Sequence, residues 1–281
     1  MEIFKEITPL KAFLKAKKQH HNTIGLVPTM GALHRGHLSL IETCQSQNNV
    51  TICSIFVNPA QFNNASDLEH YPRTLEQDTL LLEKVECDAI FCPESSEMYP
   101  GPPLVRFDFG PLDKIMEGEF RPGHFSGVAL VVSKLFNIIE PDNAYFGQKD
   151  WQQFAIIRQL TEELRFNLKL HTVETTREDD GLAMSSRNQR LKGPDRLNAG
   201  VFYQALLAAR ESLIKGIALD KVRHTVREMV NARPGVSLEY FEVADSINLN
   251  QLDSVKASDR PILCIAGFVG EVRLIDNMFL Y

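Results

Sequence analysis

At 281 residues, with 44% hydrophobic and 23% charged positions, the chain has the composition of an ordinary soluble globular protein, long enough for one large domain or two unequal ones. A formal net charge of -6 argues against a general nucleic-acid binder, so any basic cluster has to be read locally. The five cysteines (Cys44, Cys53, Cys87, Cys92 and Cys264) lack C-x-x-C spacing and mostly sit in apolar runs, which points to buried thiols in a reducing compartment. No stretch approaches the ~20 apolar residues of a membrane span, and the N-terminus is mixed and charged, so a cytoplasmic protein with no membrane or nucleic-acid partner is expected.

In chain order, the apolar run Ile24-Gly25-Leu26-Val27 predicts a strand, and Pro28-Thr29-Met30-Gly31-Ala32-Leu33-His34-Arg35-Gly36-His37-Leu38 after it predicts a glycine turn opening a helix. Val50 to Val57 is β-rich and apolar on both faces, as in a strand buried in a parallel sheet. A helix is expected over Thr74 to Val85, a third strand over Asp88 to Pro93, and a long apolar helix from Gly127 to Ile139 that stops before Pro141. Ala144 to Gly147 reads as the next strand, with Asp150 as N-cap of a helix whose stripe is Phe154, Ile157, Leu160 and Leu164. Leu168 to Thr175 supplies a further strand. The β-α-β rhythm predicts an α/β, Rossmann-like doubly wound parallel sheet over residues 1–175. Past Thr176 the pattern changes to helices at Pro194 to Gly216 and Leu219 to Val230 and β-rich runs at Val236 to Ala244 and Pro261 to Ile275, which predicts a second, smaller α+β domain over 176–281.

The chemistry concentrates in loops that follow strands. His34 and His37 lie on the first turn of a helix, where unpaired backbone N–H groups and the positive dipole end favour an anion; Gly31 and Gly36 allow close approach, and imidazoles can donate to phosphate oxygens that gain charge. A metal site is not expected, because no carboxylate or thiolate accompanies the His-x-x-His pair; the plainer alternative makes the two histidines helix-capping or solvated surface residues. The Phe56 to Phe62 loop offers the amides of Asn58 and Gln61, suited to a hydroxyl or a carboxylate, although an Asn-Pro turn alone would explain it. Arg121-Pro122-Gly123-His124-Phe125 could bind an anion or be a solvated surface loop. Gly147-Gln148-Lys149-Asp150 places a compact cation suited to phosphate at a strand-to-helix turn, and Asp180 to Asn188 is a hydroxyl-rich loop carrying Arg187 at the domain junction.

Taken together, PTMGALHRGHL, FVNPAQF, YPRT, RPGHFSGV, FGQKDWQQ and DGLAMSSRN, in this order and running through nearly the whole chain, resemble the pantothenate synthetase (pantoate–beta-alanine ligase) family. The first motif is similar to the HIGH signature of class I aminoacyl-tRNA synthetases and related nucleotidyltransferases, and MSSR to their mobile KMSKS-type loop. The resemblance implies a homodimer that condenses (R)-pantoate with beta-alanine, consuming ATP accompanied by Mg²⁺ and passing through a pantoyl adenylate. It further implies that Met30, Gly31, Ala32, Leu33, His34, Arg35, Gly36 and His37 line the ATP site, with His37 as proton donor and His34 beside the phosphates. Gly147, Gln148, Lys149 and Asp150, together with Met184, Ser185, Ser186 and Arg187, match nucleotide-binding segments, the latter on a smaller lid domain. Gln61 matches a residue touching both organic substrates, and Gln153 a second pantoate contact. Lys149 and Arg187 are expected to neutralise the β- and γ-phosphates as pyrophosphate departs.

This chain departs from the family pattern at Gln148, usually glutamate, at Trp151, usually tyrosine or phenylalanine, and at Thr176, usually aliphatic, where a backbone contact to the nucleotide survives the change. A same-fold nucleotidyltransferase that stops at nucleotide transfer is disfavoured by FVNPAQF and RPGHFSGV. A silent ATP sensor has no need of His34, His37, Lys149 and Arg187 together.

Overall fold

A computed structural model describes residues 1–63, 65–256 and 260–281. The chain divides into two compact units, Met1–Gly147 with Gln153–Glu174, and Gln148–Gln152 with Thr175–Tyr281. A single cut at 175/176 therefore misses one feature: the Gln148–Gln152 segment, although it follows a strand of the first unit, groups with the second.

The first unit holds a six-stranded sheet built from β1 (Glu2–Phe4), β2 (Ile24–Thr29), β3 (Val50–Ile55), β4 (Ala89–Phe91), β5 (Asn143–Gly147) and β6 (Lys169–Val173), in the order β1-β4-β3-β2-β5-β6. Every pairing is parallel, and β2 lies against β3 from Ile24↔Val50 to Thr29↔Ile55. β3 is buried along its whole length, which is why its sequence is apolar on both faces. Sequence order reverses between β2 and β5, and in doubly wound sheets the crevice at the carboxyl ends of such strands is where ligands bind. The helix Arg35–Gln45 follows β2 and buries Leu40, Ile41 and Cys44 in a cluster with Leu82 and Ile90. Among the described residues, no helix is long and apolar enough to cross a membrane.

Several boundaries differ from expectation. The charged N-terminus contains both β1, on the sheet edge, and a helix Ile7–Gln19; three residues of strand are too short for a readable alternation. The long apolar helix starts at His124 rather than Gly127. Leu164 lies one residue beyond the helix Trp151–Glu163 and is 51% exposed, so the apolar face ends with Ile157 and Leu160.

The second unit carries an antiparallel sheet β7-β8-β9, formed by Val236–Asp245, Pro261–Val269 and Val272–Phe279. The single run expected from Pro261 to Ile275 is thus a hairpin, reversing at Gly270-Glu271 between paired Val269 and Val272. The helix expected over Pro194 to Gly216 is divided into Gly193–Asn198 and Val201–Ile214, with glycine, a poor helix former, at the break. The helix Leu219–Asn231 turns Leu219, Val222, Val226 and Val230 inward at spacings of three and four, packing them with Phe202, Val243 and Ile265.

All five cysteines are free and buried, as expected. Burial pushes the Cys44 thiol up to about 11 and that of Cys87 up to about 12, so on the order of one Cys44 in a thousand is thiolate at pH 8. Iodoacetamide at pH 8 should leave Cys44 and Cys87 unmodified in the native protein and label them after denaturation. Mass spectrometry finding equal labelling in both states would show the native packing to be open.

Candidate active site

The loop leaving β2 is shaped by a carboxylate distant in sequence. Asp78, on the helix Leu75–Lys84, is 1% exposed. It accepts from the backbone N–H groups of Ala32 (2.9 Å) and Leu33 (2.7 Å) and from the Thr74 hydroxyl (3.2 Å). These bonds hold a turn with Gly31 at φ +78° and Ala32 at φ +48°. The second value is costly for an L-residue and persists because its surroundings fix it. A Cβ at Gly31 would lie 3.0 Å from Asp78 Oδ2 and 3.1 Å from Ile55 Cγ2, so both the backbone conformation and the space require glycine.

His34 is the N-cap of the following helix, in extended backbone, and its Nδ1 accepts from Gly36 N at 3.1 Å. His37 reaches back so that its Nδ1 accepts from His34 N at 3.3 Å, forming a reciprocal capping box with the rings 4.0 Å apart. Because both Nδ1 atoms accept backbone protons, each neutral imidazole carries its proton on Nε2. The pair is thus a set of two preoriented Nε2–H donors at a helix N-terminus. Met30 and the two histidines are half-buried and Arg35 is exposed.

The amide loop after β3 is bonded to the same turn. Gln61, 7% exposed, places Nε2 3.1 Å from Met30 Sδ. Its Oε1 accepts from Asn58 Nδ2 (3.0 Å), which also donates to Gly127 O (3.1 Å), while Asn58 Oδ1 accepts from Tyr99 OH (2.8 Å) and Ala60 N (3.3 Å). Burial pushes the Tyr99 phenol up to about 12, which keeps it a donor. The chain of bonds therefore fixes which end of Gln61 is oxygen and leaves its NH₂ group facing the Met30 side.

The Arg121 to Phe125 segment also makes contacts within the protein. Arg121 pairs with Glu117 at 3.6 Å, and the buried His124 engages Gln61 O through Nδ1 at 2.9 Å. Gly127 lets the helix backbone approach the amide turn so closely that a Cβ there would fall 2.1 Å from Ala60 O. This motif supports the Gln61 loop from behind. Gln153 is half-buried in the first turn of the helix after β5.

In the second unit, Gln148–Asp150 forms a 3₁₀ turn in which Lys149 Nζ lies 3.9 Å from Asp150 Oδ1. Trp151 donates from Nε1 to Ser246 O (2.9 Å) and packs edge-on against Phe279. That bond needs the indole N–H, so the departure to Trp at 151 gives this chain an anchor that phenylalanine lacks. Thr176 accepts from Met184 N through its backbone oxygen (2.9 Å), and Ser185 caps the 3₁₀ segment Ser186–Arg190 by accepting from Arg187 N (3.3 Å). Ser186 is buried; Met184, Ser185 and Arg187 are half-buried.

The structure thus brings His34, His37, Met30 and Gln61 together in the first unit, and orders the Lys149 turn and the 176–187 segment within the second. Sequence reasoning missed Asp78, Tyr99 and the residues that hold the Lys149 turn. The only sequence hint for Asp78 is its place four residues after Thr74 of YPRT, at a helix start.

The pantoate–beta-alanine ligase family model matches residues 2–279. The pantothenate synthetase of Bacteroides thetaiotaomicron is 46% identical over 99% of this chain and 98% of its own, and that of Porphyromonas gingivalis is 46% identical over 99% of each. The crystal structure of the Thermus thermophilus enzyme superposes with a TM-score of 0.93 at 40% identity over the full length of both chains. The Francisella tularensis pantoate–beta-alanine ligase, complexed with beta-gamma ATP and beta-alanine, gives 0.83 at 36% identity, covering 100% of this chain and 98% of that one. A match over essentially the whole length, on a sheet whose switch point carries the histidine turn, settles the relationship: the chain belongs to the pantoate–beta-alanine ligase family.

Proposed function

We propose that this ligase joins (R)-pantoate to beta-alanine in two chemical steps, through a pantoyl adenylate, with His34 and His37 as the donors to the reacting phosphate. A free carboxylate is a poor acyl donor because its oxygen cannot leave. Attack of the pantoate carboxylate on the α-phosphorus of ATP forms the acyl–phosphate bond and expels pyrophosphate. The neutral amine of beta-alanine then attacks the activated carbonyl; the carbon–oxygen bond to AMP breaks, and the amine proton is lost to solvent or base. The single observation that carries the reading is the capping box: it commits both Nδ1 atoms to the backbone and makes each Nε2–H a preorganised donor at a helix N-terminus, where anionic oxygens are stabilised.

Gln61, presenting NH₂, suits the pantoate hydroxyl or carboxylate and the beta-alanine carboxylate, with Gln153 as a second pantoate contact. Met30 to His37, Gly147 to Asp150, Thr176 and Met184 to Arg187 are assigned to ATP, with Lys149 and Arg187 balancing the charge of the departing pyrophosphate. Mg²⁺ belongs to this scheme as part of the nucleotide substrate, bound to its phosphates. Five free thiols suit a cytoplasmic enzyme, and a homodimer is the proposed assembly, checked by light scattering.

The test is a rapid-quench experiment with ATP and pantoate in the absence of beta-alanine. About one pyrophosphate per active site should appear in a burst, together with enzyme-held pantoyl adenylate, because activation does not need the amine. Pyrophosphate formation strictly dependent on beta-alanine would overturn the two-step reading.

A further inference from the structure

The Asp276-Asn277 pair near the end of β9 is buried, at 5% and 3% exposure, and Asp276 Oδ1 accepts from the Asn277 backbone N–H at 2.8 Å. Asn277 Nδ2 donates to two consecutive carbonyls, Gln148 O (2.9 Å) and Lys149 O (2.7 Å). Asp276 forms a bidentate pair with Arg177, Oδ2 to NH1 at 2.6 Å and Oδ1 to NH2 at 3.1 Å. Arg177 in turn donates to Gly181 O (3.0 Å) and stacks 4.2 Å over the Tyr203 ring. Two adjacent residues therefore hold, from one strand, the backbone of the Lys149 turn and the base of the segment that leads to Met184–Arg187.

The residue type at 277 is restricted by this geometry. The NH₂ group can serve both carbonyls from one atom; a carboxylate would face them with like partial charge, and an apolar side chain would remove both of these hydrogen bonds. Meanwhile Asn277 Oδ1 is buried and makes no hydrogen bond among the described residues. The amide is kept for its donors, and those donors act on the Lys149 turn.

We propose that Asn277 is a positioning residue for adenylation: its amide sets the Gln148–Asp150 turn so that Lys149 meets the nucleotide phosphates, while Asp276 fixes the Arg177 segment from the same strand. This inference rests on the assignment of Lys149 to the phosphates. It predicts a split between half-reactions, because pyrophosphate has already left before beta-alanine attacks the pantoyl group.

The full-length enzyme carrying Asn277→Asp should form pantoyl adenylate roughly 10–100-fold more slowly in single turnover, the scale of an ångström-level misplacement. Aminolysis of supplied pantoyl adenylate by beta-alanine should stay within about threefold of the unsubstituted enzyme. Asn277→Ala, which removes the donors without adding charge, should give the same split at smaller size. Val226→Ala, in the core of the same unit, should lower the melting temperature without changing the ratio of the two half-reactions. Adenylation within about threefold of the unsubstituted enzyme in folded Asn277→Asp, or an equal fall in both half-reactions, overturns the proposal. So does failure of both Asn277 variants to fold while Val226→Ala folds. Lys149→Ala run in parallel separates the levels: slow adenylation there with normal adenylation in Asn277→Asp removes only the positioning role, whereas normal adenylation in both removes the assignment of Lys149 as well.

Discussion

Replacing His37 by alanine is expected to slow pantoyl adenylate formation roughly 10²–10³-fold in a protein that still folds, the scale seen when one preorganised donor to a developing oxyanion is removed. The substitution removes the capping contact to His34 N, worth about 1 kcal/mol to the helix, which is small beside the stability of a domain. What it takes from the reaction is larger. With Nδ1 bonded to the backbone, the neutral imidazole keeps Nε2–H as its donor, and in the proposed scheme its bond to a phosphate oxygen would strengthen only as charge accumulates there. ATP affinity should therefore change far less than the rate. His34→Ala should show a similar but smaller defect, and its lost contact to Gly36 N should loosen the helix start. Single-turnover adenylation within about threefold of the unsubstituted enzyme in folded His37→Ala would mean that the ring is only a cap.

The second large effect is expected at Asp78, which touches no substrate in this scheme. Asp78→Ala leaves the N–H groups of Ala32 and Leu33 buried without their acceptor, at about 1–3 kcal/mol each, so the loss should be roughly 2–6 kcal/mol. That is a large share of a typical domain's stability, and it falls on a turn already held at φ +48° at Ala32. Asp78→Asn should be milder in volume yet still harmful, because its NH₂ must face one of the two backbone donors. Urea unfolding should register the drop, and whatever Asp78→Asn protein folds should lose adenylation more than ATP binding, since His34 follows the turn directly. Unchanged stability in Asp78→Ala would mean that the turn is held by other contacts.

Much of this was written locally. The alternation-free apolar run of β3, the glycine turn after β2 and the three-and-four spacing of Leu219, Val222, Val226 and Val230 depend on residues within a few positions of one another, so periodicity and turn chemistry reveal them. The motifs in order also carried the family assignment. The same local rules mislead where a strand is too short to alternate, as at Glu2–Phe4, or where two strands join through a two-residue turn and read as one run, as from Pro261 onward.

The sequence by itself determined the parallel-sheet architecture, the smaller second unit and the family, and it supplied the residues to which the proposed chemistry is assigned. Only the tertiary structure decided what holds those residues in place. Asp78 shapes the histidine turn across 46 positions, and Asn277 grips the Lys149 turn across 128, so that Lys149 belongs with the C-terminal unit although it follows β5. Within RPGHFSGV, His124 and Gly127 pack against the Gln61 loop from far along the chain. The physical reason is the same in each case. Buried N–H and C=O groups must find partners, but the partner can come from any segment the fold brings within about 3 Å, and sequence separation sets no limit on which.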